Sequence, residues 1–135
     1  MRIFVDTNIW VSAIATPGLC DELLKQLFRN HEVLASELVW RELETVLVRK
    51  LRFAPQEVAV ARAMFDEGIL LADVPVSRGD NDTRLVVAAS AASAGMADLF
   101  VTGDKRVLEW DAPGSMRIVS PRDAWIRLFE PHLHR

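Results

Sequence analysis

The fold is decided by the stretch Ile3-Phe4-Val5-Asp6-Thr7-Asn8, in which a short apolar run ends on an acid and a helical pattern follows. The same pattern returns near the other end of the chain, in Leu99-Phe100-Val101-Thr102-Gly103-Asp104. If both apolar runs are strands of one parallel sheet, both acids leave the sheet at its carboxyl edge and lie in one crevice. A carboxylate at the end of a buried strand is costly to keep ionised unless a cation or several donors meet it. The pattern therefore predicts a metal site.

Length and composition favour one globular domain. The chain has 135 residues, of which 50% are hydrophobic and 26% charged, so we expect residues 1–135 to form a single domain. The net charge of −3 argues against a generally basic nucleic-acid-binding surface, although clustered acids can hide a basic rim. Cys20 is the only cysteine, which excludes an intrachain disulfide. An acid at position 6 comes too early for a signal peptide, and no apolar run approaches about 20 residues, so we expect a cytoplasmic protein without a membrane span.

Strand and helix patterns alternate from one end of the chain to the other. We predict strands at residues 3–5, 33–35, 69–74, 99–102 and 118–119. We predict helices at residues 8–15, 21–29, 36–50 and 55–67, an alanine-rich helix from 82 or 83 to about 95, and a final helix that begins at Ser120-Pro121. This alternation indicates an α/β fold with a parallel sheet covered by helices on both faces.

Four carboxylates stand out by their positions. Asp6 and Asp104 follow strands, Asp82 begins the alanine-rich helix, and Glu42 lies beside the apolar stripe of its helix without an opposite charge three or four residues away. Taken singly, the three aspartates can be helix N-caps and Glu42 a solvated edge residue. Taken together, four converging acids repel each other strongly without a cation. Oxygen ligands without Cys or His favour Mg²⁺ or Mn²⁺, which can activate water and stabilise charge on a phosphodiester.

Four motifs in order carry a resemblance to a known family. They are Val5-Asp6-Thr7-Asn8, Ser36-Glu37-Leu38-Val39-Trp40-Arg41-Glu42-Leu43, Asp80-Asn81-Asp82 and Val101-Thr102-Gly103-Asp104. With this series the chain resembles the PIN-domain ribonucleases, and within them the VapC-like toxin components of toxin–antitoxin pairs. The resemblance implies a three-layer sandwich around a parallel five-stranded sheet in the order 3-2-1-4-5. It also implies RNA cleavage with Mg²⁺ or Mn²⁺, a homodimer, and inhibition by a cognate antitoxin.

The resemblance also assigns roles to particular residues. The catalytic, metal-binding acids map onto Asp6, Glu42, Asp82 and Asp104. The supporting polar residues map onto Asn8 and Thr102, with Asp80 as a competing or supporting acid.

Basic and aromatic residues give weaker indications. Arg84, Lys105 and Arg106 flank the expected site and are candidate contacts to RNA phosphates. The basic cluster at residues 49–52 is interpreted as a favourable interaction with a helix C-terminus. The three histidines are not spaced as a metal set. Trp10, two residues after Asn8, is the aromatic side chain that can lie near a flipped base.

The leading interpretation is thus a metal-dependent endoribonuclease that acts as a toxin. The alternatives are a housekeeping PIN nuclease in RNA processing and a degenerate, non-catalytic binding module. A phosphatase of the haloacid dehalogenase type is disfavoured, because its chemistry needs a second aspartate where this chain has Asn8. We expect the helices around residues 55–65 and 125–129 to bury apolar surface in a homodimer.

Overall fold

A computed structural model of the chain describes residues 1–71, 86, 97–111 and 114–130. Within these residues, five strands form one sheet in the order β3-β2-β1-β4-β5, and every neighbouring pair is parallel. The strands are β1 Arg2–Val5, β2 Glu32–Ser36, β3 Ile69–Leu71, β4 Leu99–Val101 and β5 Arg117–Val119. The predicted parallel sheet and its strand order are confirmed.

The described helices lie at nearly the predicted positions, apart from a four-residue helix after β4 that was not predicted. They are α1 Thr7–Ala15, α2 Leu19–Asn30, α3 Glu37–Arg49, α4 Pro55–Phe65, α5 Lys105–Leu108 and α6 Pro121–Phe129. The predicted alanine-rich helix lies outside the described residues apart from Val86, which is helical and buried. The predicted third strand is described only as far as Leu71. Among the described helices, none has the length and apolar character needed to cross a membrane.

Serine caps fix where two helices begin. The Ser36 hydroxyl accepts a hydrogen bond from the Val39 N–H at 3.4 Å, and the Ser120 hydroxyl accepts one from the Asp123 N–H at 3.1 Å. Because Ser36 is also the last residue of β2, α3 follows the strand without a loop. This direct transition brings the first turns of α3 to the carboxyl edge of the sheet.

The centre of the sheet is the core of the protein. Phe4 of β1 and Phe100 of β4 are fully buried and stack with ring centroids 5.3 Å apart. Strands that are covered on both faces form nearly continuous apolar runs, which is why residues 3–5 of β1 and all of β4 were recognisable in the sequence. Trp10 also belongs to the core, since it is 0% exposed and its indole N–H donates to the Val5 carbonyl at 3.2 Å. The suggestion that Trp10 lies near a flipped base is therefore wrong.

Candidate active site

The register of the two central strands places Asp6 beside Thr102. Val5 pairs with Val101, and the Asp6 N–H donates to the Val101 carbonyl at 2.9 Å. The next residue of each strand therefore leaves the sheet at the same carboxyl edge. Both side chains are buried, with Asp6 only 2% exposed and Thr102 fully enclosed. A carboxylate and a hydroxyl are thus fixed next to each other at the end of the core.

Hydrogen bonds orient both oxygens of the Asp6 carboxylate. Oδ1 accepts from the Thr7 N–H at 2.8 Å, so Asp6 caps α1, as one of the two interpretations of the sequence held. Oδ2 accepts from the Thr102 hydroxyl at 2.7 Å and from the Asn8 side-chain amide at 3.2 Å. Capping therefore engages one oxygen, while side chains from both strand ends hold the other.

Asn8 and Thr102 extend this network from Asp6 towards Asp104. The Asn8 side-chain oxygen accepts from the Gly103 N–H at 2.8 Å, and its amide donates to the Thr102 hydroxyl at 3.2 Å. The same hydroxyl accepts from the Asp104 N–H at 3.1 Å. The two strand ends are therefore tied together by side chains that lie between the two acids. Their supporting role in catalysis stays a prediction.

Glu42 is held against α1 by a hydroxyl group. The Thr7 hydroxyl donates to its Oε1 at 2.8 Å, and the side chain is half-buried on α3. Glu42 shares with Asp6 a concavity of about 430 Å³. The described lining residues are Asp6, Thr7, Asn8, Val11, Glu42, Val46, Lys50 and Leu51. Glu42 has no basic residue three or four positions away on α3, and its side chain is instead hydrogen-bonded to Thr7 on α1.

Asp104 borders a second concavity of about 450 Å³, which adjoins the first at Asn8. Its Oδ1 accepts from the Arg106 N–H at 2.9 Å and caps α5, and its Oδ2 lies 3.5 Å from the Arg106 guanidinium. The sequence led us to expect a single crevice that contains both strand-end acids. Within the described residues, the concavities beside the two acids adjoin at Asn8, and the expectation of one crevice stays a prediction.

The remaining predicted site residues are placed less closely or lie outside the described chain. Asp80, Asp82 and Arg84 are outside the described residues. Lys105 and Arg106 are exposed and are not among the residues that line either concavity. Their assignment to RNA binding therefore stays a prediction.

Lys50 is a residue that the sequence analysis missed. It lines the concavity of Asp6 and Glu42, although the basic cluster at 49–52 was assigned only to the helix C-terminus. The sequence does indicate this position, because Glu42, Val46 and Lys50 are spaced four residues apart and therefore lie on one face of α3.

The side chains that line this concavity offer oxygen donors to a cation. Within the described part of the chain, no three His, Cys, Asp or Glu side chains come close enough to hold a metal ion together. Asp6 and Glu42 nevertheless share one concavity, which the Thr7 and Asn8 side chains also line. Carboxylate, hydroxyl and amide oxygens are hard donors, which suit Mg²⁺ or Mn²⁺ better than softer metals.

A parallel sheet in the order 3-2-1-4-5 with acids at its carboxyl edge defines the class of protein. The PIN domain family model matches residues 3–127, and the chain belongs to this family. PIN domains are generally nucleases that use divalent metal ions, so membership supports a function in this class.

Solved structures share the same fold. One is the crystal structure of VapBC2 from Rickettsia felis bound to a DNA fragment from their promoter. The match has a TM-score of 0.58 and 19% sequence identity, and it covers 89% of this chain and 98% of that chain. A search of curated proteins found no match.

Proposed function

We propose that this chain is a metal-dependent endoribonuclease and the toxin of a toxin–antitoxin pair. The observation that carries the proposal is the Asp6 carboxylate, which is buried at the end of β1 and oriented by Thr7, Asn8 and Thr102. Burying an ionised carboxylate is costly, so its place in a concavity that Glu42 also lines favours a role in chemistry over a role in stability alone. Membership in the PIN family supports the same class of activity.

The proposed metal ligands are Asp6, Glu42, Asp82 and Asp104, with Asp80 as a supporting acid. A bound Mg²⁺ or Mn²⁺ would supply an activated water and offset the negative charge on the phosphodiester. The chain itself supplies orientation. Thr102 and Asn8 hold Asp6, and Thr7 holds Glu42, so that the carboxylates need little reorganisation when charge develops.

The proposed partners are RNA, a cognate antitoxin and a second copy of the chain, in the cytoplasm. The matched VapBC2 structure and the motif resemblance support the antitoxin. Arg84, Lys105 and Arg106 are the proposed basic contacts to RNA. For the homodimer, Val60 on α4 is 72% exposed, whereas Trp125 and Phe129 on α6 pack partly against the core. Light scattering at micromolar concentration tests the dimer, and a monomeric mass refutes it.

Two substitutions in the site and one matched control test the nuclease. Asp6→Asn removes a buried acid, and Glu42→Gln removes a half-buried one while keeping an oxygen that can accept from the Thr7 hydroxyl. Asp98→Asn makes the identical chemical change at the amino edge of the sheet, where Asp98 accepts from the Arg2 N–H at 2.8 Å. We expect both site variants to lose RNA cleavage and the control to retain it. Cleavage at the wild-type rate by both site variants refutes the proposal.

Two further measurements separate the toxin from the alternatives. Induced expression should arrest growth, and co-expression of a small neighbouring gene should relieve the arrest. Normal growth at high expression, together with RNA cleavage in vitro, indicates a housekeeping nuclease.

Mg²⁺ or Mn²⁺ should raise the melting temperature of the wild type more than that of Glu42→Gln, because a cation that binds the folded state stabilises it. The absence of any shift and of any cleavage indicates a degenerate binding module.

A further inference from the structure

The concavity that contains Asp6 and Glu42 is lined by two kinds of residue. The polar ones are the two acids with Thr7, Asn8 and Lys50. The apolar ones are Val11, Val46 and Leu51, which we call the apolar shelf. A phosphate that approaches the acids is repelled, and a cation beside them offsets this repulsion. The concavity therefore combines the features needed to hold a charged group and an apolar group side by side.

The backbone at Lys50 is fixed, whereas its ammonium group is available. Lys50 is the C-cap of α3, and the N–H groups of Lys50 and Leu51 both donate to the Val46 carbonyl, at 2.9 and 3.0 Å. The Phe53 N–H donates to the Leu47 carbonyl at 2.9 Å, which closes the helix end. The Lys50 side chain is exposed and forms no ion pair with any residue in the described ranges. The closed helix end thus places the exposed Lys50 side chain beside the concavity.

We propose that Lys50 and the apolar shelf bind one nucleotide of the RNA substrate next to the Asp6–Glu42 centre. The Lys50 ammonium contacts a phosphate, which Lys binds as a compact point charge. The apolar shelf contacts the ribose and base of the same nucleotide. This inference rests on the proposed ribonuclease function and adds a substrate subsite to it.

A comparison of Lys50 with Arg49 distinguishes substrate binding from a purely structural role at the helix end. Both Arg49 and Lys50 lie at the end of α3, so both interact favourably with the negative end of the helix dipole. Both are exposed, but Lys50 lines the concavity and Arg49 does not. Arg49→Ala therefore removes a charge from the same helix terminus without touching the subsite, and it serves as the matched control.

Steady-state cleavage of a single-stranded RNA tests the proposal first. We expect Lys50→Ala to raise KM about 5-fold, as befits the loss of one exposed contact to a charged group, with kcat within about 2-fold of the wild type. Lys50→Arg should recover most of the affinity, and Arg49→Ala should leave KM unchanged. If Lys50→Ala and Arg49→Ala have the same KM, Lys50 acts only on the helix and the subsite is refuted.

The salt dependence of RNA binding provides a second readout that does not require cleavage. In the Asp6→Asn background, fluorescence anisotropy gives the affinity for the same RNA at several salt concentrations. Loss of one phosphate contact should reduce the slope of log K against log salt by about 0.7. An unchanged slope in Lys50→Ala overturns the subsite. If wild-type protein cleaves RNA but these variants behave alike, only the subsite fails, whereas the absence of RNA cleavage by the wild type overturns the proposed function and the subsite together.

Discussion

Replacing Thr102 by Val tests whether its hydroxyl is what holds the strand-end network together. The hydroxyl donates to Asp6 Oδ2 at 2.7 Å and accepts from Asn8 and from the Asp104 N–H at 3.2 and 3.1 Å. Valine has nearly the same shape, so the substitution removes these three hydrogen bonds without opening a cavity. Asp6 keeps its bonds from Thr7 and Asn8 but loses the shortest of the hydrogen bonds that the described residues donate to it.

The expected cost follows from the burial of the two central groups. A hydrogen bond to a charged acceptor contributes about 1.5–3 kcal/mol, and here both the hydroxyl and the carboxylate are buried. Asn8 is exposed and the Asp104 side chain is 28% exposed, so water replaces part of what they lose. We therefore expect the free energy of unfolding to fall by about 2.5 kcal/mol, which corresponds to about 10 °C in melting temperature for a domain of this size.

Thermal unfolding and RNA cleavage measure the two consequences separately. Thr45→Val is the matched control, because the Thr45 hydroxyl donates to the Arg41 carbonyl at 2.8 Å on an exposed face of α3. It should change stability by less than about 0.5 kcal/mol. Well below the melting temperature, Thr102→Val should also cleave RNA about 10- to 100-fold more slowly, because groups that orient a metal ligand affect activity to this extent. Equal melting temperatures for the two variants would refute the reasoning.

Two further predictions concern a glycine in the network and a histidine at the opposite edge of the sheet. A Cβ added at Gly103 would lie 3.3 Å from Asn8 Oδ1, the atom that accepts the Gly103 N–H, so Gly103→Ala should displace Asn8 and lower kcat while the melting temperature changes little. An unchanged kcat in this variant would contradict the prediction that cleavage depends on the position of the Asn8 side chain. Burial, and then the nearby amino group of Met1, lowers the pKa of His31 below 6.5. The folded state therefore binds this proton more weakly than the unfolded chain, so stability is complete above pH 6.5 and falls as the pH drops towards the folded-state pKa. Melting curves between pH 5 and 7 should be flatter for His31→Gln than for the wild type, and parallel curves would contradict this assignment.

The fold was predictable because its main signals are local. Residues 3–5 of β1 and all of β4 are apolar and buried, and Ser36 and Ser120 cap their helices through bonds that span three residues. The helix α5 was missed because its four residues, Lys105–Leu108, are too few to show helical periodicity. Strand order came from the resemblance to the PIN family, since nothing local determines which strands pair.

The contacts among three of the predicted polar residues could be anticipated from the sequence, whereas the position of Lys50 could not. Asp6, Asn8 and Thr102 follow strands, and the register brings them into contact. Lys50 was assigned to the helix end because that interaction is local, whereas its place on the rim of the concavity depends on how α3 packs against α1.

The capping role of Asp6 does not explain why this position is an acid. Ser and Asn cap helices about as well as Asp, and an uncharged side chain avoids the cost of burying a charge. Capping uses only Oδ1 of Asp6, whereas Thr102 and Asn8 both donate hydrogen bonds to Oδ2. A structural cap has no need for that second set of donors, but a carboxylate that must present a fixed orientation to a cation does. Asp6→Asn keeps a capping oxygen and removes the charge, so loss of RNA cleavage without loss of the folded state would separate the two roles.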